Sequence, residues 1–237
     1  MCCLSPAPVV ALSGTMEHDM TTPPDALLLM TSQCPHCPTL LQGLGELVKK
    51  GQIGRLEVVN IGVRPDIAGQ LGVRSVPWFR IGEFELAGLH TPAELKEWAQ
   101  RAMRPDGLAT YYTELLKQGQ LPHVLSTVRH HPQHIAALLA LAGDPDTDLT
   151  VRIGISAVLE DYAGSAQLQE QLPALLQLAQ HEDPGIRADA SHFLALSHSP
   201  DALPALQKLG DDPDATVREI AADSLAELTD SLAAGRE

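Results

Sequence analysis

Hydrophobic and polar positions follow two different rhythms along the chain, and the rhythm changes near residue 105. Before that point short apolar runs alternate with helical patterns. Ala26-Leu-Leu-Leu-Met30 is continuously apolar, the pattern of a strand covered on both faces. From Thr39 to Lys50, Leu40, Leu41, Leu44, Leu47 and Val48 fall at helical spacing, and Lys49 and Lys50 suit the helix C-terminus. Gly51 and Gly54 break that helix. Arg55 to Ile61 (RLEVVNI) predicts a second strand, and Pro65 to Leu71 a short helix stopped by Gly72. Val76 to Ile81 and Phe84 to Ala87 predict a hairpin across Gly82-Glu83. Thr91, with Glu94 three residues on, predicts a capping box at the head of a helix over Pro92 to Met103. The predicted order is βαβαββα.

Beyond Pro105 no strand pattern recurs. Three segments align instead: Asp144-Pro145 before Val151-Arg152, Asp183-Pro184 before Ile186-Arg187, and Asp212-Pro213 before Val217-Arg218. The arginines are spaced by 35 and then 31 residues. Ile155/Leu159, Ala190/Leu194 and Ala221/Leu225 follow in matching apolar columns, and Leu172-Pro173 and Leu203-Pro204 precede the turns, with an earlier echo at Leu121-Pro122. A period of this length built from two amphipathic helices marks an α-solenoid, in which each helix pair buries its apolar face only by stacking on the next. Arg152, Arg187 and Arg218 are expected to form a structural ladder with turn acids such as Asp183 and Asp212. His130, His131 and His134 have no further ligand pair nearby, so a solvated loop and helix start around Pro132 is expected there rather than a metal site.

Charge sharpens the division. The chain carries 16 Lys and Arg against 30 Asp and Glu. Residues 1–104 hold nine basic and ten acidic residues, whereas residues 105–237 hold seven and twenty. Three regions are expected: a flexible tail over 1–24, an α/β domain over 25–104 and an all-α array over 105–237. So acidic an array lacks the cations that neutralise phosphates, which argues against nucleic acid and anionic membrane surfaces as partners. No apolar run is long enough to span a bilayer. The first twenty residues lack a basic segment and contain Pro8 in their short apolar stretch, so no signal peptide is expected and the address is taken as cytoplasmic. Cys2 and Cys3 have no neighbouring ligands and are expected to be inert.

The remaining cysteines, Cys34 and Cys37, carry the candidate chemistry. A single Cys-x-x-Cys fits either a redox couple or half of a zinc site. Its position between a strand and a helix favours redox work. Free N–H groups and the positive dipole at a helix N-terminus stabilise a thiolate at Cys34, with Cys37 one turn on to resolve a mixed disulfide. Pro35 suits a first helical turn, and His36 adds a potential positive charge beside the thiolate. No metal and no cofactor is expected.

Cys34-Pro35-His36-Cys37, followed downstream by Val73-Arg74-Ser75-Val76-Pro77 and Gly88, resembles the thioredoxin superfamily, especially its small thioredoxin-like and glutaredoxin-like members. The resemblance implies a cis Val76–Pro77 bond beside the disulfide, with Val76 and Pro77 holding a bound substrate chain through backbone contacts. Gln33 stands where thioredoxins carry tryptophan, and Leu28 where they bury a carboxylate. The Asp-Pro turns and Val-Arg helix starts beyond residue 105 resemble HEAT and HEAT-like repeats. Together these imply a thiol–disulfide oxidoreductase acting on protein disulfides or dithiols, recycled by a separate electron donor or acceptor, with the array recruiting the protein partner. The alternative is a non-enzymatic interaction protein whose array binds a partner under redox control of Cys34 and Cys37.

Overall fold

A computed structural model describes residues 22–234; Cys2, Cys3 and residues 1–21 of the expected tail lie outside the described residues. Strand β1 (Ala26–Met30) is central in a four-stranded sheet of order β2-β1-β3-β4. It pairs parallel with β2 (Leu56–Asn60) and antiparallel with β3 (Trp78–Ile81), which carries β4 (Phe84–Ala87) antiparallel at the edge. Helices α1 (Cys37–Lys49), α2 (Pro65–Gln70) and α3 (Pro92–Arg101) complete the predicted βαβαββα order. Leu28, Leu40, Leu44, Phe79, Phe84 and Leu95 are buried together between the sheet and the helices α1 and α3. Thr91 and Glu94 form the expected capping box, the Glu94 N–H donating to Thr91 Oγ1 and the Thr91 N–H to Glu94 Oε2.

Most ends fall a residue or two inside the expected bounds, and two starts differ because of a proline. Strand β3 starts at Trp78, not Val76, because Pro77 has no N–H to give to a ladder. Helix α1 starts at Cys37 with His36 as its N-cap residue, which leaves Pro35 ahead of the helix. Pro38 cannot donate back to Cys34, so the turn holding Cys34 is not closed as helix.

The rest is helical: α4 (Gly107–Lys117), α5 (Leu121–His130), α6 (Ile135–Ala142), α7 (Leu149–Asp161), α8 (Ala166–Gln169), α9 (Leu172–Leu178), α10 (Pro184–Leu196), α11 (Leu203–Leu209) and α12 (Ala215–Ala234). The pairs α6/α7, α9/α10 and α11/α12 are the predicted repeats, and α7, α10 and α12 stack side by side. The predicted columns line their core: Ile155, Leu159, Ala190, Leu194 and Ala221 are fully buried, and Leu225 is half-buried against them. The arginine ladder is present in altered form. Arg187 grips Asp212 with two hydrogen bonds of 2.8 and 2.9 Å. Arg152 reaches Asp189 of the next repeat at 2.8 Å, and Arg218 donates to the carbonyls of Asp212 and Pro213. Asp183 takes no part, since its carboxylate caps α10 through the N–H groups of Gly185 and Ile186. A local cap wins there over a longer reach.

Candidate functional site

The residues singled out in sequence meet at one end of the sheet. Chain leaving β1 at Met30 runs through Thr31–Gln33 into Cys34 and then α1. Trp78 pairs with Leu29, so Pro77 stands across from Met30 at that same end. The Val76–Pro77 peptide is cis. Cys34 and Cys37 are joined as a disulfide, with Cα atoms 5.5 Å apart. The two cysteines differ in access: Cys34 is half-buried, whereas Cys37 is fully buried at the first position of α1. Pro35 and His36 between them are exposed, Val76 is half-buried and Pro77 buried. Leu28 is completely buried in the core, so an apolar side chain fills the place of the family's carboxylate. Among the described residues no group of His, Cys, Asp and Glu is arranged to hold a metal ion, and no helix is long and apolar enough to cross a membrane.

Residues 26–100 match the family model of the thioredoxin domain, and residues 135–226 match that of HEAT repeats. The chain joins a thioredoxin-like domain to HEAT repeats. A comparison with curated proteins gives no match. Helices α4 and α5 lie between the two matched segments, and they are what fixes the HEAT repeats to the thioredoxin-like sheet.

That seam is the part of the molecule that the sequence did not announce. Gly107 opens α4 so close behind α3 that a Cβ there would overlap the Arg101 carbonyl oxygen. Phe84, Trp98, Tyr111 and Tyr112 then pack together, four of only eight aromatic residues in the chain. Arg101 of α3 bridges to Glu114 of α4 at 2.7 Å. The Tyr111 hydroxyl donates to the Glu85 carbonyl on the open edge of β4 at 2.8 Å, and His123 Nε2 approaches the same oxygen at 3.3 Å. His130, His131 and His134 contribute to the seam as well. The expected solvated loop holds for His130 alone, which is exposed; His131 is half-buried and His134 is 1% exposed, and all three imidazoles face carboxylates of the β3–β4 hairpin, His130 and His131 toward Glu85 and His134 toward Glu83. Burial alone would push the Glu85 carboxyl up, but the facing imidazoles of His131, His130 and His123 outweigh it and hold it below its ordinary value. The available signals were the acid in the middle of the apolar strand Phe84 to Ala87 and the Tyr111-Tyr112 pair.

Proposed function

We propose that this chain is a thiol–disulfide oxidoreductase acting on protein disulfides or dithiols through the Cys34/Cys37 couple, with the HEAT repeats recruiting the protein partner. The observation that carries this reading is the unequal access of two bonded cysteines within a thioredoxin-like domain: Cys34 is half-buried and Cys37 fully buried. In the reducing direction the Cys34 thiolate attacks one sulfur of a substrate disulfide, forming a mixed disulfide and releasing the other substrate sulfur as thiolate. The Cys37 thiolate then attacks Cys34 Sγ, releasing the second substrate sulfur and leaving the Cys34–Cys37 disulfide. Two electrons have passed to the substrate, and an external dithiol returns them. Oxidation of a dithiol is the same sequence reversed, with an external acceptor. Pro35 and His36 shape and charge the surface around Cys34, and the Val76 and Pro77 backbone holds the substrate chain, as the family resemblance implies.

The test is turnover of insulin disulfides with dithiothreitol as the reductant. Many equivalents reduced per chain, none by Cys34→Ser, and a trapped mixed disulfide with Cys37→Ala are the expected results. A wild-type rate no higher than dithiothreitol alone sinks the enzymatic reading. One equivalent without recycling favours the redox-gated interaction protein, for which the exposed pair Leu149 and Ile153 on α7 offers a docking face. An equilibrium potential near about −270 mV marks a reductase, and one near about −120 mV an oxidant.

A further inference from the structure

The seam sets imidazoles against carboxylates, with Glu85 and His134 buried and His130 and Glu83 at the rim. Phe84 and Leu86 point into the core, so Glu85 between them points to the opposite sheet face, where it is 4% exposed. Its Oε1 has no hydrogen-bond partner. His130 Nδ1 and His131 Nε2 each stand 3.6 Å from that oxygen, and His131 Nε2 is itself buried and unpartnered. His134 Nδ1 lies 2.6 Å from the Tyr112 hydroxyl, while its unpartnered Nε2 faces Glu83 Oε1 at 3.4 Å. The rings of His131 and His134 stack with centroids 5.0 Å apart. His123 and Tyr111 address the Glu85 backbone from α5 and α4, and Arg80 is the cross-strand neighbour of Glu85 on β3. The groups that face the buried carboxylate from the array are imidazoles, which gain charge by taking up a proton.

We propose that Glu85, His130 and His131 form a proton-operated latch that seats the helical array on the thioredoxin-like sheet. An imidazolium facing Glu85 pairs with it across the short gap. A neutral imidazole can still turn an N–H toward that oxygen but brings no charge to offset a buried carboxylate, and the pairing weakens. The carboxyl, held low, stays charged throughout the range in which imidazoles titrate. The latch therefore holds while Glu85 and a facing imidazole are both charged, and slackens as rising pH removes the imidazole charge. It is lost again as pH falls through the lowered Glu85 value, because that carboxylate contributes only while ionised.

The latch lies near the loop that leads to the candidate redox site. A Cβ added at Gly72 would stand 3.6 Å from His130 Cε1, and Gly72 opens the loop that leads to Val76 and Pro77. Slackening lets His130 move away from that loop. This consequence rests on the oxidoreductase reading; the latch itself does not.

The experiment is amide hydrogen exchange of the full chain, disulfide intact, at pH 6 and pH 8, each rate divided by its intrinsic value. In wild type the amides of α4 and α5 should open about tenfold more at pH 8, as expected when one charge-assisted pairing is lost. Glu85→Gln should be flat, and His130→Gln should lose part of the slope. His130 is on the rim, with a side chain 29% exposed, so that variant keeps the test alive if Glu85→Gln does not fold. Equal corrected exchange at both pH values in wild type, or a full slope in His130→Gln and Glu85→Gln, overturns the latch. Because no thiol chemistry is read, an inert cysteine couple leaves the latch standing, and flat exchange leaves the couple standing.

Discussion

Replacing Tyr111 by Phe separates the hydrogen bonding of the seam from its packing. The ring is 1% exposed, with centroids 5.2 Å from Phe84, 5.7 Å from Trp98 and 5.3 Å from Tyr112. Phenylalanine keeps all of those contacts. It loses the hydroxyl, which donates to the Glu85 carbonyl at 2.8 Å and lies 3.0 Å from His123 Nε2. Burial pushes the phenol well above its ordinary titration range, so the hydroxyl is a donor at every pH of interest. The Glu85 carbonyl retains His123 Nε2 at 3.3 Å and is not orphaned. One buried hydrogen bond is therefore lost, about 1 kcal/mol, rising to about 2 kcal/mol if the His123 nitrogen is stranded. Tyr111→Ala removes the ring as well and should cost about 3–5 kcal/mol. Urea unfolding is followed by tryptophan fluorescence, with Trp98 beside Tyr111 as reporter, and by far-ultraviolet circular dichroism for the helices. The Phe variant should shift both curves together by the smaller amount, while the Ala variant should split them into two transitions. An unchanged midpoint for Tyr111→Phe, or a Phe variant as damaged as the Ala variant, would refute this division of the seam.

Gly107→Ala should destabilise the chain by about 2 kcal/mol, because the added methyl meets the Arg101 backbone and no flexible side chain can yield; the same urea titration reads it. Asp212→Asn should cost about 2 kcal/mol, since Arg187 keeps its bonds to the His181 and Glu182 carbonyls but loses a two-bond anionic partner. The Arg187 hydrogen bond holds Asp212 below the usual carboxylate range despite burial. Its contribution is thus present above the unfolded carboxylate value and lost as pH falls through the lower folded one. Thermal midpoints of wild type and Asp212→Asn should converge on acidification, and a constant gap down to strong acid would count against the ion pair.

What could be read from the sequence was what is decided within a few residues. Thr91 and Glu94 lie one turn apart, so their capping box needs no tertiary knowledge, and the apolar run of β1 and the columns after each Val-Arg are equally local. Cys34 and Cys37 fall under the same rule. The starts of α1 and β3 were misplaced by one or two residues because Pro38 and Pro77 withdraw donors that hydrophobic spacing does not register. Asp183 and Asp212 look alike as turn acids. The first is taken by adjacent N–H groups, while the second is reached by an arginine from the preceding repeat, a choice made only when the repeats stack. The histidines failed as a reading for a related reason: whether His134 is solvated depends on where Glu83 lies, and only the seam brings them together.

The charge balance explains why that seam is built from histidines. Seven basic residues against twenty acidic ones make the array a poor partner for a hairpin carrying Glu83 and Glu85. On the α3 side the conflict is resolved by the thioredoxin-like domain, whose Arg101 meets the array's Glu114. On the β4 side the array must supply the positive charge itself. A permanent cation stands next door in Arg129, yet it is held within the array by Asp161, at 2.8 to 3.1 Å. The array's groups that meet Glu85 are His130 and His131 at its carboxylate and His123 at its carbonyl, all imidazoles. An arginine in that contact would lock the two parts together at any physiological pH. Imidazoles make their union conditional, and they do so next to the loop that leads to Val76 and Pro77.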